Sequence, residues 1–219
     1  MQPATDEGRV ILVNKPLDWT SFDVVNKLRH KLKVSKAGHA GTLDPLATGL
    51  LIVCTGKKTK EIESFMGMEK EYRGKLVLGA TTASHDLETE VIPAADPSGI
   101  PVEFLFEATK KFTGMILQTP PVHSAVKVGG KRSYTLARKG RSVELPSRTV
   151  EVRVFEITDV ALPEVSFRVV CSKGTYIRSL VRDYGEYLNV GAYLSELCRT
   201  RIGPYRLEDA SAISDIETG

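Results

Sequence analysis

A glycine-rich segment, Gly38–Gly49 (GHAGTLDPLATG), holds the side chain best suited to chemistry, the carboxylate of Asp44. Glycine adopts backbone angles that other residues avoid, and Pro45 disfavours helix at the residue before it. Asp44 is therefore predicted to lie on a shaped loop. The alternative interpretation is an ordinary Asp-Pro turn with no chemical role.

The distribution of charge gives Asp44 an unusual setting. Asp44 is the only acid between Val24 and Lys60, a stretch with eight Lys or Arg residues. A second basic stretch, Lys127–Arg148, has seven Lys or Arg residues and one acid. A lone carboxylate among cations fits a catalytic group on a surface that binds a polyanion. Two solvated helix faces would explain the same basic residues, and the net charge of only +3 does not choose between these interpretations.

Length and composition fit one globular domain, since the chain has 219 residues, of which 42% are hydrophobic and 26% charged. Three scattered cysteines argue against a disulfide framework and for a reducing compartment, so we expect a cytoplasmic protein. The four histidines form no ligand-spaced pair, so we expect no metal site. Apolar runs are too short to span a membrane, and the N-terminus lacks the apolar core of a signal peptide.

The elements that must position these residues follow from the hydrophobic pattern. Short runs rich in β-branched residues predict strands at Arg9–Asn14, Leu50–Cys54, Glu71–Ala80, Thr149–Val160 and Glu164–Cys171. Apolar residues at helical spacing predict helices after Thr20, at Lys57–Met66, at Val102–Phe112 and from Ile177. Thr20 and Asp23 have the spacing of a capping box, which marks the start of the first helix.

The helix that begins near Ile177 has the clearest apolar stripe of the chain, formed by Ile177, Leu180, Val181, Tyr184 and Leu188. Arg178 lies off this stripe, in the first turn. A cation there interacts unfavourably with the helix dipole, so we expect a carboxylate partner.

The motifs together resemble one known family. The Asp44 segment is similar to the catalytic motif of the TruB family of bacterial pseudouridine synthases, and the resemblance extends from about Val10 to Tyr205. Further matching motifs are Lys15-Pro16 with Thr20-Ser21, Lys70-x-Tyr72, Thr81-Thr82 with Asp86, Pro120-Pro121 with Ser124-Ala125, Lys173–Arg178, and Leu197-x-Arg199. Asp18 stands where the family usually has glycine, and Cys198 stands where many members have arginine.

The resemblance implies an α+β fold, the pseudouridine synthase catalytic fold, with a mixed and mainly antiparallel sheet flanked by helices and loops. It implies a single catalytic domain over residues 1–219, with an RNA-clasping loop insertion at 118–145. Many family members also carry a small C-terminal RNA-binding (PUA) domain, which we do not expect here because only about fourteen residues follow Tyr205. The implied reaction isomerises uridine 55 in the T-loop of tRNA. The base is flipped out, its glycosidic bond is cleaved, and the uracil is rejoined through carbon 5 without a cofactor.

The resemblance also implies residue roles. Asp44 is the catalytic carboxylate, either as a nucleophile or as a base, and Arg178 pairs with it. Tyr72 stacks on the uracil, His39 helps to displace it, and Leu197 walls the pocket. Ile177 is a second wall residue, and Tyr176 binds the substrate. The remaining implied contacts are those of cations with phosphates, made by Lys15, Lys127, Lys131, Arg132 and Arg138.

The implied partner is the T-arm stem-loop of tRNA, with a monomeric protein and no obligate protein partner. Two alternatives belong to other classes: a non-catalytic RNA-binding or tRNA-folding module, and the catalytic subunit of a guide-RNA pseudouridylation complex. Intact Asp44, Tyr72 and Arg178 argue against the first, because binding alone needs no lone acid on a basic surface. The expected lack of a C-terminal domain argues against the second.

Overall fold

The computed structural model describes residues 7–122 and 145–217, together with the backbone of two short strands at 127–128 and 131–132. These residues group into two compact units, one within Met1–Arg73 and Leu197–Gly219 and the other within Gly74–Glu196. The single catalytic domain predicted over 1–219 stays a prediction.

The helices and strands are numbered in chain order over the described residues. The strands are β1 Val10–Lys15, β2 Ala37–His39, β3 Ala47–Thr55, β4 Lys70–Leu78, β5 Ala80–Thr81, β6 Ile92–Pro93, β7 Gly114–Gln118, β8 Lys127–Val128, β9 Lys131–Arg132, β10 Arg148–Ala161, β11 Glu164–Cys171, β12 Ala192–Ile202 and β13 Tyr205–Arg206. The α-helices are α1 Ser21–Lys31, α2 Ile62–Gly67, α3 Val102–Thr109 and α4 Ile177–Tyr187. Short 3-10 segments occur at Gly56–Glu61, Lys110–Phe112 and Leu207–Asp209.

In the first unit the strand order is β1–β3–β12–β4, and β2 and β13 pair with β3 and β12. β1 runs antiparallel to β3, from Val10 opposite Cys54 to Lys15 opposite Gly49, whereas β12 runs parallel to β3. β3 is apolar over most of its length because both of its faces are covered. One face packs on α1, and the other packs against a cluster that includes Phe65 and Ile202.

Helix α1 begins where the sequence predicts it. The side chain of Thr20 accepts a hydrogen bond from the backbone N–H of Asp23, and the Asp23 carboxylate accepts one from the backbone N–H of Thr20. The capping box is therefore confirmed, and the apolar face of the helix is buried at Val24, Val25 and Leu28.

In the second unit the strand order is β12–β4–β11–β10–β7. β10 and β11 form a long antiparallel hairpin, and β7 pairs antiparallel with β10 at the edge of the sheet, with Gln118 opposite Arg148. The predicted stripe of α4 is buried, and the Tyr184 hydroxyl donates to the carbonyl of Leu105 in α3 at 2.8 Å. The α+β class with a mixed, mainly antiparallel sheet is confirmed.

The predicted RNA-clasping segment, 118–145, lies largely outside the described residues. Its described backbone includes the hairpin of β8 and β9, with Lys127 opposite Arg132. The side chains of Lys127, Lys131 and Arg132, and the whole of Arg138, lie outside the described residues, so their phosphate contacts stay predictions. Within the described ranges, no helix has the length and apolar character that a membrane span requires.

Candidate active site

Hydrogen bonds fix the loop that carries Asp44 on both sides of this residue. Before Asp44, the backbone N–H of Leu43 donates to the hydroxyl of Ser21 at 2.8 Å, and that hydroxyl lies 3.2 Å from the Leu43 carbonyl. After it, the carbonyl of Pro45 accepts from the backbone N–H of Asp18 at 3.0 Å. Asp44 itself is half-buried and belongs to no helix or strand. The shaped loop predicted from its sequence is confirmed.

Lys15 holds the same loop through a hydrogen bond to its backbone. Its side chain is fully buried, and its ammonium donates to the carbonyls of Pro16 at 2.9 Å, Trp19 at 2.5 Å and Pro45 at 3.2 Å. Burial lowers the pKa of Lys15 from 10.5 to about 8, although the negative charge of Asp44 opposes this shift. The ammonium has three N–H donors, and all three are engaged. Its contact with phosphate stays a prediction, and this geometry supports a role in holding the loop.

Asp18 shows how the chain accommodates its departure from the family glycine. Its φ of +63° lies in the left-handed region, which glycine adopts without strain and which aspartate tolerates better than most residues. The turn that glycine would form is thus retained, and it places the N–H of Asp18 on the Pro45 carbonyl.

His39 and Arg199 lie beside the loop in the first unit. His39 is half-buried on β2, and its pKa is lowered chiefly by burial and further by the positive charge of Arg199. The Arg199 side chain is only 1% exposed, and it donates to the carbonyls of Leu50 at 2.8 Å and Gly41 at 3.1 Å. Arg199 therefore links β3 to Gly41, in the glycine-rich segment that carries Asp44. The sequence predicts no role for it, although it lies in the Leu-x-Arg motif.

Leu197 reaches the end of the loop through strand pairing. It lies opposite Ala47 in the parallel pairing of β12 with β3, and its carbonyl is 3.5 Å from the hydroxyl of Thr48. This register places a half-buried leucine beside a residue that follows Asp44 by three positions. Its function as a pocket wall stays a prediction.

Tyr72 lies near the start of β4 and is 9% exposed. Lys70, two residues before it, is buried and donates to the carbonyls of Met66 at 2.6 Å and Met68 at 2.5 Å, at the end of α2. Lys70 thereby anchors the start of the strand that carries Tyr72. The stacking of Tyr72 on uracil stays a prediction.

Arg178 has a carboxylate partner within the second unit. One of its terminal nitrogens, Nη1, lies 3.4 Å from Oδ2 of Asp86 and donates to the carbonyl of Ser84 at 3.1 Å. The other carboxylate oxygen of Asp86 accepts from the backbone N–H of Glu88 at 2.9 Å. The expectation of a carboxylate near Arg178 is confirmed, and its pairing with Asp44 stays a prediction. Asp86 belongs to a family-like motif, but the sequence predicts no role for it.

Tyr176 is half-buried at the N-cap of α4, and its predicted neighbour Ile177 is buried. The side chain of Gln118 forms hydrogen bonds with both the N–H and the carbonyl of Tyr176. The guanidinium of Arg148 lies over the Tyr176 ring. The sequence predicts a role for neither Gln118 nor Arg148. Over the part of the chain that the structure describes, no cluster of His, Cys, Asp or Glu side chains could hold a metal ion.

Comparison with known structures gives the class of protein. Over 94% of this chain, the fold matches a chain in the crystal structure of a Cbf5-Nop10-Gar1 complex, with a TM-score of 0.75 and 33% identity. This chain covers 52% of the length of that chain. The fold, with its aspartate-bearing loop, is that of the pseudouridine synthases.

Comparison of sequences gives the family. Residues 29–177 match the model of the TruB family pseudouridylate synthases (N terminal domain), and the chain belongs to this family. It is 54% identical over 213 residues to tRNA pseudouridine synthase B of Phocaeicola vulgatus, and this alignment covers 94% of this chain and 91% of the relative. It is 51% identical over 218 residues to the enzyme of the same name from Flavobacterium johnsoniae, and that alignment covers 96% of this chain and 95% of the relative.

Proposed function

We propose that this protein is a tRNA pseudouridine synthase, an isomerase that converts uridine 55 in the T-loop of tRNA to pseudouridine. The observation that carries the proposal is the loop of Asp44. It presents a half-buried carboxylate, held on both sides by hydrogen bonds, within the most basic part of the first unit. The relatives named tRNA pseudouridine synthase B, which align with this chain over nearly the full length of both proteins, support the same conclusion.

The reaction exchanges one bond to the ribose for another. The bond between N1 of uracil and C1′ of ribose breaks, a bond between C5 and C1′ forms, the hydrogen on C5 leaves as a proton, and N1 gains one. The product is an isomer of the substrate, so no co-reactant is consumed. Asp44 acts on the sugar, either as a nucleophile or as a base that removes a ribose proton.

The other predicted residues prepare the base for this reaction. Enzymes that act on a stacked base first turn it out of the stack, at an energy of a few kcal/mol. The low pKa of His39 favours its neutral ring, which carries no charge into the space that the base leaves. Stacking on Tyr72 would then stabilise the flipped uracil by about 1–3 kcal/mol. Arg178, held by Asp86, supplies a fixed positive charge in the proposed mechanism.

The proposed substrate is tRNA, recognised through its T-arm by a cytoplasmic monomer that needs no protein partner. Phosphate contacts by basic side chains would position the RNA without reading its sequence. These contacts include the predicted ones of Lys131, Arg132 and Arg138.

A tritium-release assay tests the proposal directly. The protein alone is mixed with an unmodified tRNA transcript that carries tritium at C5 of its uridines. We expect one tritium to be released per tRNA, and none from a transcript in which position 55 is cytidine. No release, or release only when a guide RNA and partner proteins are added, would reject the proposal in favour of a binding module or a guide-dependent subunit.

A further inference from the structure

We infer that Gln118 and Arg148 are positioning residues for Tyr176. The two residues lie opposite each other where β7 pairs with β10, at the edge of the sheet in the second unit. This inference rests on the proposed function, because Tyr176 counts as a substrate contact only through that function.

Gln118 fixes the backbone of Tyr176. Its side chain is fully buried; its amide NH₂ donates to the Tyr176 carbonyl at 3.1 Å, and its amide oxygen accepts from the Tyr176 N–H at 2.8 Å. Tyr176 is the N-cap of α4 and has an extended backbone, with no side-chain cap of its own. The buried amide therefore does what a neighbouring strand would do, since it satisfies both backbone groups of one residue.

Arg148 fixes the ring of the same residue. Its guanidinium carbon lies 4.7 Å from the centre of the Tyr176 ring, which is the geometry of a cation–π contact. One of its terminal nitrogens also donates to the carbonyl of Gly174, two residues before Tyr176. The planar group is thereby held from two directions.

The exposure of Tyr176 separates positioning from ordinary packing. A tyrosine that serves the core is buried, as Tyr184 is, whereas Tyr176 is half-buried and has its backbone and ring fixed separately. Fixing a partly exposed ring before substrate binds holds it in the orientation that the reaction needs, so its effect is expected in the rate. Tyr176 also directly precedes Ile177 and Arg178, so its backbone sets the start of α4.

The pair lies at the root of the predicted RNA-clasping segment, because Gln118 begins that segment and Arg148 follows it. The residues just beyond this strand pair are also joined, since the hydroxyls of Thr119 and Ser147 lie 2.7 Å apart. The Thr119 carbonyl accepts from the hydroxyl of Ser179 on α4 at 2.8 Å. Described contacts thus run continuously from the root of that segment to the residues around Tyr176.

The first experiment compares Arg148→Met with a matched control, Arg153→Met, an exposed arginine on the same strand. Single-turnover rate, affinity for a T-arm stem-loop and melting temperature are measured for each variant. We expect Arg148→Met to be slower by about tenfold or more, because a misplacement of about 1 Å can cost roughly 100-fold. Its affinity and melting temperature should stay near those of the control. A rate for Arg148→Met equal to that of Arg153→Met would overturn the inference.

A double-mutant cycle with Tyr176→Leu tests whether Arg148 acts through the ring. If it does, the rate of the double variant Arg148→Met/Tyr176→Leu should lie within about twofold of the rate of Tyr176→Leu, because both changes remove the same contact. Fully additive losses would show that Arg148 acts independently and would overturn the inference.

A readout without catalysis separates this inference from the proposed function. The protein is labelled with 3-fluorotyrosine, and the ¹⁹F resonance of Tyr176 is identified by its loss in Tyr176→Phe. We expect this resonance to shift in Arg148→Met and in Gln118→Leu, and not in Arg153→Met. An unmoved resonance would reject the positioning role even in an active enzyme. A shifted resonance in a protein that releases no tritium would leave the geometry intact and reject the proposed function.

Discussion

The guanidinium of Arg178 and the carboxylate of Asp86 form a buried ion pair, with Nη1 of the arginine 3.4 Å from Oδ2 of the aspartate. Further hydrogen bonds hold the loop that carries Asp86, because the Asp86 carbonyl accepts from the hydroxyls of Thr82 at 2.6 Å and Ser84 at 3.1 Å. A cation held in this way is oriented before substrate binds, as electrostatic catalysis requires.

Asp86→Asn should therefore slow catalysis while leaving the fold intact. The change is nearly isosteric, but it removes the negative charge beside a buried guanidinium, which should lower the free energy of unfolding by about 1–3 kcal/mol. We expect the single-turnover rate to fall by at least about tenfold, or about 1.4 kcal/mol in the activation barrier. Urea unfolding and rapid-quench kinetics measure the two effects. Asp159→Asn, at an exposed position, is the control, and a wild-type rate in Asp86→Asn would exclude a role for this carboxylate.

Asp44→Asn should abolish isomerisation and preserve RNA binding. Asparagine fills the same space, so the loop held by Ser21 and Asp18 should persist. The wild-type carboxylate repels the phosphates of the RNA, and asparagine does not, so we expect equal or tighter affinity for a T-arm stem-loop. Filter binding and tritium release measure the two properties on the same sample. Turnover near the wild-type rate would remove Asp44 from the mechanism.

The parts of the fold that the sequence predicts are those set by local pattern. Helix α4 follows from its apolar stripe, and α1 follows from the Thr20 capping box, since each depends on residues a few positions apart. The Asp44 loop was also predictable, because Pro45 restricts the backbone of Asp44, and Gly41 and Gly49 adopt the positive φ angles that other residues avoid.

The supporting residues of the site were not predictable, because their contacts join distant parts of the chain. Arg199 bonds a carbonyl 149 positions away, Arg178 bonds one 94 positions away, and Gln118 bonds Tyr176 across 58 positions. No local periodicity reports such contacts. One signal was nevertheless available, since Arg199 lies in the family-like Leu-x-Arg motif. Its guanidinium is buried, and a buried guanidinium needs hydrogen-bond partners.

Lys15 should give the stability of the protein a characteristic pH dependence. Its folded pKa of about 8 lies below the ordinary value of 10.5, so between these values the unfolded chain binds more protons. Stability therefore rises with pH through this window, by up to about 1.4 kcal/mol per pH unit. The quantity to measure is the free energy of unfolding of the wild type minus that of Lys15→Met, by urea titration at successive pH values. The subtraction cancels the contributions of other titrating groups. A difference that stays flat or falls as the pH rises would contradict a lowered pKa for the buried Lys15 ammonium.

Gly49→Ala should be far more harmful than a matched change at Gly67. Gly49 has a φ of +101°, and a Cβ there would lie 2.7 Å from the N–H nitrogen of Arg199 and 2.9 Å from Sγ of Cys198, and closer still to the Arg199 carbonyl oxygen. Strained backbone of this kind costs about 1–3 kcal/mol before any overlap is counted. The overlap would press β12 away from β3 where Leu197 and Arg199 adjoin the loop of Asp44, so the isomerisation rate should fall as well.

Gly67 provides the control because it lies exposed at the end of α2, where an added Cβ would meet no atom within 4 Å apart from its chain neighbours and the backbone of its own helix. Alanine favours helix over glycine by up to about 1 kcal/mol, so Gly67→Ala should be neutral or stabilising. Urea unfolding and single-turnover rates are compared for the two variants. If both were equally stable and equally active, the close approach of Arg199 to Gly49 would not be what fixes the strand pairing beside Asp44.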